Sequence, residues 1–236
     1  NLVSGSTVYV APGLYDERIN INKAMSLLGA TYGVSKRGYT VPSGYAYDTA
    51  TESVIRPSTP LELQVVKVAA DAVVFDGFVV ANEVCQTGGV YQDLVGIDAG
   101  MTATTGIQVL NCVLGPNTNT AAQDGTMGRS GITVYGPRAL PLKLVVMHDR
   151  IFDSKGNGCG IMIVGPYGPS YYGGVPHVNQ FAGSVIEDND ILGNHRTGIE
   201  LAGGVQGGTA WADHVIIRDN LIAENGWFSL ADKDNL

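Results

Sequence analysis

Five short segments of this chain repeat one pattern, and a chain that repeats at this spacing has to stack its units. They are Val74-Phe75-Asp76-Gly77-Phe78-Val79, Val109-Leu110-Asn111-Cys112-Val113-Leu114, Met147-His148-Asp149-Arg150-Ile151-Phe152, Glu187-Asp188-Asn189-Asp190-Ile191-Leu192 and Arg218-Asp219-Asn220-Leu221-Ile222-Ala223. Each reads as a strand, then Asn or Asp, then one variable residue, then two mostly apolar ones. The anchors Phe78, Val113, Ile151, Ile191 and Ile222 stand 35, 38, 40 and 31 residues apart. The last two segments run on alike to Asn194 and Asn225. A second mark follows four of the anchors: the pairs Gly96-Ile97, Gly131-Ile132, Gly160-Ile161 and Gly198-Ile199.

A unit of this size holds two or three short strands, which cannot bury an apolar face alone. Stacked about 4.8 Å apart, each unit gives the next a backbone partner and extends one core. Asn and Asp tolerate the left-handed backbone region, so a fixed Asn or Asp marks a tight bend. Asp76, Asn111, Asp149, Asn189 and Asn220 are therefore expected to form a ladder along one bend. A β-sandwich offers no reason to repeat Asn-x-Ile at a single bend. The expected fold class is all-β: a parallel β-helix, a solenoid of roughly seven coils. Residues 1–236 form one domain, read as a piece of a larger chain.

Composition agrees. Lys plus Arg number 14 against 22 Asp plus Glu, for a formal charge of −8. That balance excludes nucleic acid and anionic lipid as natural partners, since both need a positive face. Charged residues make up 15%, too few for a coiled coil. The 32 Gly and 10 Pro imply many turns. No apolar run reaches the roughly 20 residues of a membrane helix, so membrane insertion is not expected. Cys85, Cys112 and Cys159 are an odd set without metal spacing. They read as buried free thiols, with one disulfide plus a free thiol left open.

The repeat resembles the right-handed parallel β-helix of the pectate-lyase-like superfamily, in its bacterial surface-protein type. The opening, Gly5-Ser6-Thr7-Val8-Tyr9-Val10-Ala11-Pro12-Gly13-Leu14-Tyr15-Asp16-Glu17, then Ile19-Asn20-Ile21-Asn22-Lys23 and Leu27-Leu28-Gly29-Ala30, is similar to the first coil of many such proteins. The return at Glu52-Ser53-Val54-Ile55 fits as well. The resemblance spans nearly the whole chain and carries fold rather than activity, because the scaffold hosts lyases, hydrolases, esterases, phage spikes and adhesins.

In that superfamily, the resemblance implies, sugar chains lie along one outer strand row between loop walls. Alternation turns outward the residue after each Gly-Ile pair, giving Asp98, Thr133, Met162 and Glu200. Insertions 136–143, 165–183 and 203–213 follow those strands. They carry Arg138, Tyr167, Tyr171, Tyr172, His177 and Trp211, with Tyr135 just before the first. Tyr and Trp rings stack on sugar faces at small entropic cost. The expected binding residues are thus Asp98, Thr133, Tyr135, Arg138, Tyr167, Tyr171, Tyr172, His177, Glu200 and Trp211.

Chemistry is harder to find. Glycoside hydrolysis needs two carboxyls about 5–9.5 Å apart. Asp98 and Glu200, three coils apart, stand about 14 Å apart at the stacking distance. The catalytic candidates are His148, Asp188, Asp213, His214, Asp219 and Glu200. Of these, His148, Asp188 and Asp219 share one repeat position. Asp188 and Asp219 form the only weak metal pair, although Glu187 with Arg218 and Arg150 with Asp190 read as an ordinary solvated face. Trp211-Ala212-Asp213-His214 is similar to the Trp-Ile-Asp-His segment of pectate lyases, but no basic catalytic motif follows it. Tyr91-Gln92-Asp93-Leu94 resembles an esterase segment faintly, without the rest of that set. Asp232-Lys233-Asp234-Asn235 lacks the Gly and closing Glu of a calcium loop and reads as a flexible acidic end.

The favoured reading is a non-catalytic extracellular or cell-surface module, adhesin-like or structural, contacting a polysaccharide, a cell-surface glycan or another partner. The alternative is a polysaccharide lyase or glycoside hydrolase; a lyase of this superfamily implies calcium, and no other cofactor is expected. A phage-type or filament-forming subunit is a third class. Because an open coil end presents unpaired backbone groups, end-to-end self-association or flanking domains are expected.

Overall fold

A computed structural model describes residues 3–59, 64–84, 92–97, 104–118, 130–134, 142–156, 158–164, 182–202 and 215–226. Within them the chain winds as a right-handed parallel β-helix with three faces. Sheet A stacks Ser6–Tyr9, Met25–Leu28, Val73–Asp76, Gln108–Leu110, Val145–Met147, Ser184–Glu187 and Val215–Arg218. Sheet B stacks Gly13–Tyr15, Ser53–Ile55, Phe78–Asn82, Val113–Asn117, Arg150–Phe152, Asp190–Leu192 and Leu221–Ala223. Sheet C stacks Ile19–Ile21, Val66–Val68, Val95–Ile97, Ile132–Val134, Ile161–Val164 and Ile199–Ala202. The sheets hold seven, seven and six strands, which gives the expected seven coils.

Each strand is short because each face is narrow. Alternation sends every second residue into the shared core. Phe75, Val109, Val146 and Ile186 enter from sheet A. Val80, Leu114, Ile151 and Ile191 enter from sheet B. Val95, Ile132 and Ile161 enter from sheet C. Like side chains therefore pile on like, coil over coil; within the third coil Phe75 also stacks on Phe78, with ring centroids 4.5 Å apart.

The bend between sheets A and B is the most regular part of the coil. It shrinks to Gly77 in the third coil and to residue pairs 111–112, 148–149, 188–189 and 219–220 in the coils above. The first residue of each bend is left-handed: Gly77 at φ 77°, Asn111 at 52°, His148 at 62°, Asp188 at 56° and Asp219 at 57°. Gly77 is obligatory for a further reason: a Cβ there would lie 2.2 Å from the Tyr32 backbone nitrogen.

The second residue of the bend carries the ladder. Asp149 N–H donates to Asn189 Oδ1 at 2.9 Å, and Asn189 N–H donates to Asn220 Oδ1 at 3.0 Å. The amides reach back in return, Asn189 Nδ2 to Val146 O at 3.0 Å and Asn220 Nδ2 to Ile186 O at 2.8 Å. A parallel ladder runs between sheets B and C: Ser154 N–H donates to Asn194 Oδ1, and Asn194 N–H to Asn225 Oδ1.

This corrects the expected alignment of two segments. Leu110 pairs with both Asp76 and Met147. Asn111 therefore sits level with His148, at the left-handed position, and Cys112 sits level with Asp149. Asp76 falls at the strand end, one residue before the bend, yet it accepts from Asn111 Nδ2 at 2.9 Å, so the expected side-chain contact between these two coils is present. The anchor stacked with Ile151 is Leu114, not Val113. Asn serves two purposes at adjacent positions, a left-handed bend and a side-chain ladder, and the letter alone does not separate them.

Replacing Asn189 by Ala removes an acceptor and two donated bonds, leaving Asp149 N–H and Val146 O buried without those partners. The expected cost is about 2–4 kcal/mol, read as a fall in the urea midpoint at unchanged m-value. A midpoint shift within error would contradict a structural role for the ladder.

Candidate functional site

Connections around the coil are not evenly distributed. From the third coil onward the A-to-B bends contain one or two residues. The links that follow sheet-C strands run over 98–107, 135–144, 165–183 and 203–214; those that precede them include 56–65, 83–94 and 118–131. Sheet C is thus the face bordered on both sides by insertions, and it is where a contact face is expected.

Register fixes the outward row of that sheet as Asn20, Lys67, Gly96, Thr133, Met162 and Glu200. The row confirms the placement of Thr133, Met162 and Glu200 on successive coils and corrects the fourth member. Ile132 pairs with Val95, so the residue level with Thr133 is Gly96 and not Asp98. Gly96 fits for a steric reason: a Cβ would lie 2.1 Å from Cγ of Gln64, which lies across it.

Thr133 is a second correction. It faces away from the core but is 1% exposed, and its hydroxyl donates to Asp93 Oδ1 at 2.7 Å. Asp93 also accepts from Ser130 N–H at 3.4 Å. The middle of the row is therefore a hydrogen-bonded floor, not a free contact point. Glu200, at the upper end, is held by Arg196 at 3.1 Å and accepts from the Cys159 thiol at 3.1 Å. Asp98, Tyr135, Arg138, Tyr167, Tyr171, Tyr172, His177, Trp211, Asp213 and His214 lie outside the described residues.

The shared repeat position of His148, Asp188 and Asp219 is as expected, at the left-handed corner. Two of its occupants, His148 and Asp188, pair with each other. His148 Nδ1 lies 2.9 Å from Asp188 Oδ2, and Arg37 pairs with the same carboxylate. Glu187 pairs with Arg218 at 2.8 Å on a solvated face, as expected, whereas Arg150 with Asp190 at 3.5 Å is not solvated: Asp190 is buried and also accepts from Gly38 N–H of the residues that cross sheet B. Among the described residues no group of three or more His, Cys, Asp or Glu is arranged to hold a metal ion.

Arg37 belongs to a feature that the repeat does not announce. Residues 29–52 leave the second coil between sheets A and B and lie as a strap across the outside of sheet B. Gly33 N–H donates to Asp76 Oδ1 at 3.1 Å, Lys36 N–H to His148 O at 2.8 Å and Gly38 N–H to Asp190 Oδ2 at 2.7 Å. The strap thus climbs several coils. It returns through Tyr45, whose hydroxyl donates to Asp153 at 2.6 Å, and Tyr47, whose hydroxyl donates to Gly115 O at 2.5 Å. Tyr39, Val41, Tyr45 and Tyr47 form a second apolar cluster with Val54, Val79, Ala81, Val113 and Phe152. A buried ion pair, Lys36 with Glu52 at 3.2 Å, closes the base, and Glu52 also accepts from Tyr39. The alternating Tyr39, Val41, Tyr45 and Tyr47 were the sequence signal for this second core. The strap covers the outside of sheet B at Val54, Val79, Ala81, Val113 and Phe152.

Compared with protein-family models, curated proteins and solved structures, the chain finds no match. The architecture itself is consistent with the pectate-lyase-like β-helix superfamily. No helix among the described residues is long and apolar enough to cross a membrane.

The thiols fit the buried reading. Cys112 and Cys159 are free and buried; Cys85 lies outside the described residues. Burial pushes the Cys159 thiol up to about 12, with Glu200 adding to the rise and a Thr197 hydrogen bond opposing it. Burial raises Cys112 well above the ordinary range, helped by Asp149. A thiol with a raised value stays protonated, and the thiolate is the nucleophile. At about pH 8, iodoacetamide is expected to leave both thiols of the folded chain unlabelled and to label both in denaturant. Labelling of Cys159 in the folded chain would show that this end of sheet C is open and reactive.

Proposed function

We propose that this chain is a non-catalytic, extracellular or cell-surface β-helix module, one part of a longer protein, that contacts a glycan or another partner on the sheet-C side. The observation that carries the reading is the placement of the insertions: from the third coil onward sheets A and B meet at bends of one or two residues, the strap lies on the middle of sheet B, and the long links border sheet C. Those insertions supply Tyr135, Tyr167, Tyr171, Tyr172 and Trp211, ring types that suit sugar stacking. Asp98, Arg138 and His177 are their polar complement, and Glu200 stands at the upper end of the row.

A non-catalytic role is favoured by what the described candidates are doing. Glu200 is tied to Arg196 and Cys159, and Asp188 to His148 and Arg37. The competing reading is a polysaccharide lyase or hydrolase built on Asp213 and His214 with Asp219, with calcium in the lyase case.

One experiment separates the two. The chain is incubated with a panel of plant, bacterial and animal polysaccharides, with and without calcium, while unsaturated products and reducing ends are measured. The same panel is arrayed for binding. The expected outcome is binding without turnover, weakened at least about tenfold by Trp211→Ala or Tyr171→Ala. Turnover that is lost in His214→Ala would replace this reading with the enzymatic one.

A further inference from the structure

One member of the bend ladder does not match its neighbours chemically. The ladder place is Asn in the sixth and seventh coils, at Asn189 and Asn220, but Asp149 in the fifth and Cys112 in the fourth. An Asn amide both accepts and donates here. Oδ1 takes the N–H of the coil below, and Nδ2 gives to a carbonyl of that coil. Cys112 keeps the donor half. Its thiol points at Leu110 O at 3.1 Å and Phe75 O at 3.9 Å, the places that correspond to Arg218 O and Ile186 O around Asn220.

Asp149 keeps the acceptor half, taking Cys112 N–H on Oδ1 at 2.6 Å. Its Oδ2 occupies the place of the amide nitrogen, fully buried and without a partner. By the repeat, what faces that atom is a backbone carbonyl, that of Val109. Two oxygens with lone pairs repel; an oxygen bearing a proton donates instead. A bare carboxylate there would also be a buried charge without a cation.

We propose that Asp149 is a protonated carboxylic acid in the folded chain at neutral pH, standing in for an asparagine, and that its ionisation loosens the corner that anchors the strap. The neighbours of Asp149 couple it to the strap. His148 O accepts Lys36 N–H, and Asp190 accepts Gly38 N–H while pairing with Arg150. The charged and titratable groups around this corner are Asp76 and Cys112 from the coils below, Asp188 and Asp190 from the coil above, His148 and Arg150 on either side, and Lys36 and Arg37 from the strap. The cations already have carboxylate partners: Arg37 has Asp188, Arg150 has Asp190, and Lys36 has Glu52. None is held by Asp149.

Burial raises the Asp149 carboxyl well above its ordinary value of 3.8; the Cys112 N–H opposes this, and Asp76 adds to it. The sign follows from proton linkage. The folded chain holds a proton that the unfolded chain has released above about pH 4. This group's stabilising contribution is complete below that value and is lost as pH rises through the folded value.

The test uses the whole chain. With aspartate carboxyls labelled by 13C, one carboxyl resonance is expected to keep its protonated shift above about pH 7, and that resonance is absent in Asp149→Asn. The urea midpoint of the native chain is expected to fall between about pH 5 and about pH 8 by more than that of Asp149→Asn. Over the same range the amides of Lys36 and Gly38, corrected for intrinsic exchange, lose protection in the native chain and keep it in the variant. If all aspartate carboxyls have ionised by about pH 6, the proposal is overturned whether or not the variant folds. A midpoint that falls equally in both proteins, or strap amides whose protection ignores pH, overturns the coupling to the strap.

Discussion

Every strand here is three to five residues long and cannot complete its own hydrogen bonds. Each coil takes its partners from the coils on either side, as in Gly77 N–H to Leu110 O, Asn111 N–H to Met147 O and Asp188 N–H to Arg218 O. This requirement forces every coil to share one cross-section, so the corners must repeat even where loops differ. The Asn ladder is the side-chain form of the same constraint. It satisfies the N–H groups that the bend turns away from the sheets, and it does so only when the coils are in register.

The constraint also explains which parts of the chain were legible in sequence. Corners between sheets A and B repeat in residue type because a left-handed bend and a ladder tolerate few residues, so Asp188-Asn189 and Asp219-Asn220 announced themselves. The core followed, since Ile151 and Ile191 come at fixed distances from the bend. The one-step error at Asn111 arose because left-handed geometry and ladder bonding both select Asn, and His148 and Cys112 fill those two places in a disguised form. The two-step error at Asp98 has a different origin. Val95 takes the place of Ile in the third coil, so the Gly96-Ile97 pair matched by letter while lying two residues further along the strand.

The strap was not legible from the repeat because it belongs to none of it. Residues 29–52 have no counterpart of their own kind in the other described coils, and what fixes them is distant in sequence: Asp76, Gly115, His148, Asp153 and Asp190. The strap covers the apolar outside of sheet B at Val54, Val79, Ala81, Val113 and Phe152, while the long links of the coil border sheet C. Two of the candidate carboxylates have partners in the fold: Asp188 pairs with Arg37 and His148, and Glu200 with Arg196 and Cys159.

The central claim is that the Asn side chains join successive coils in register. Couplings across hydrogen bonds report this directly in solution. The account predicts measurable couplings from the Asp149 amide to the Asn189 side-chain carbonyl carbon and from the Asn189 amide to that of Asn220. If both couplings are absent while those amides exchange as freely as exposed ones, the coils do not stack through this ladder.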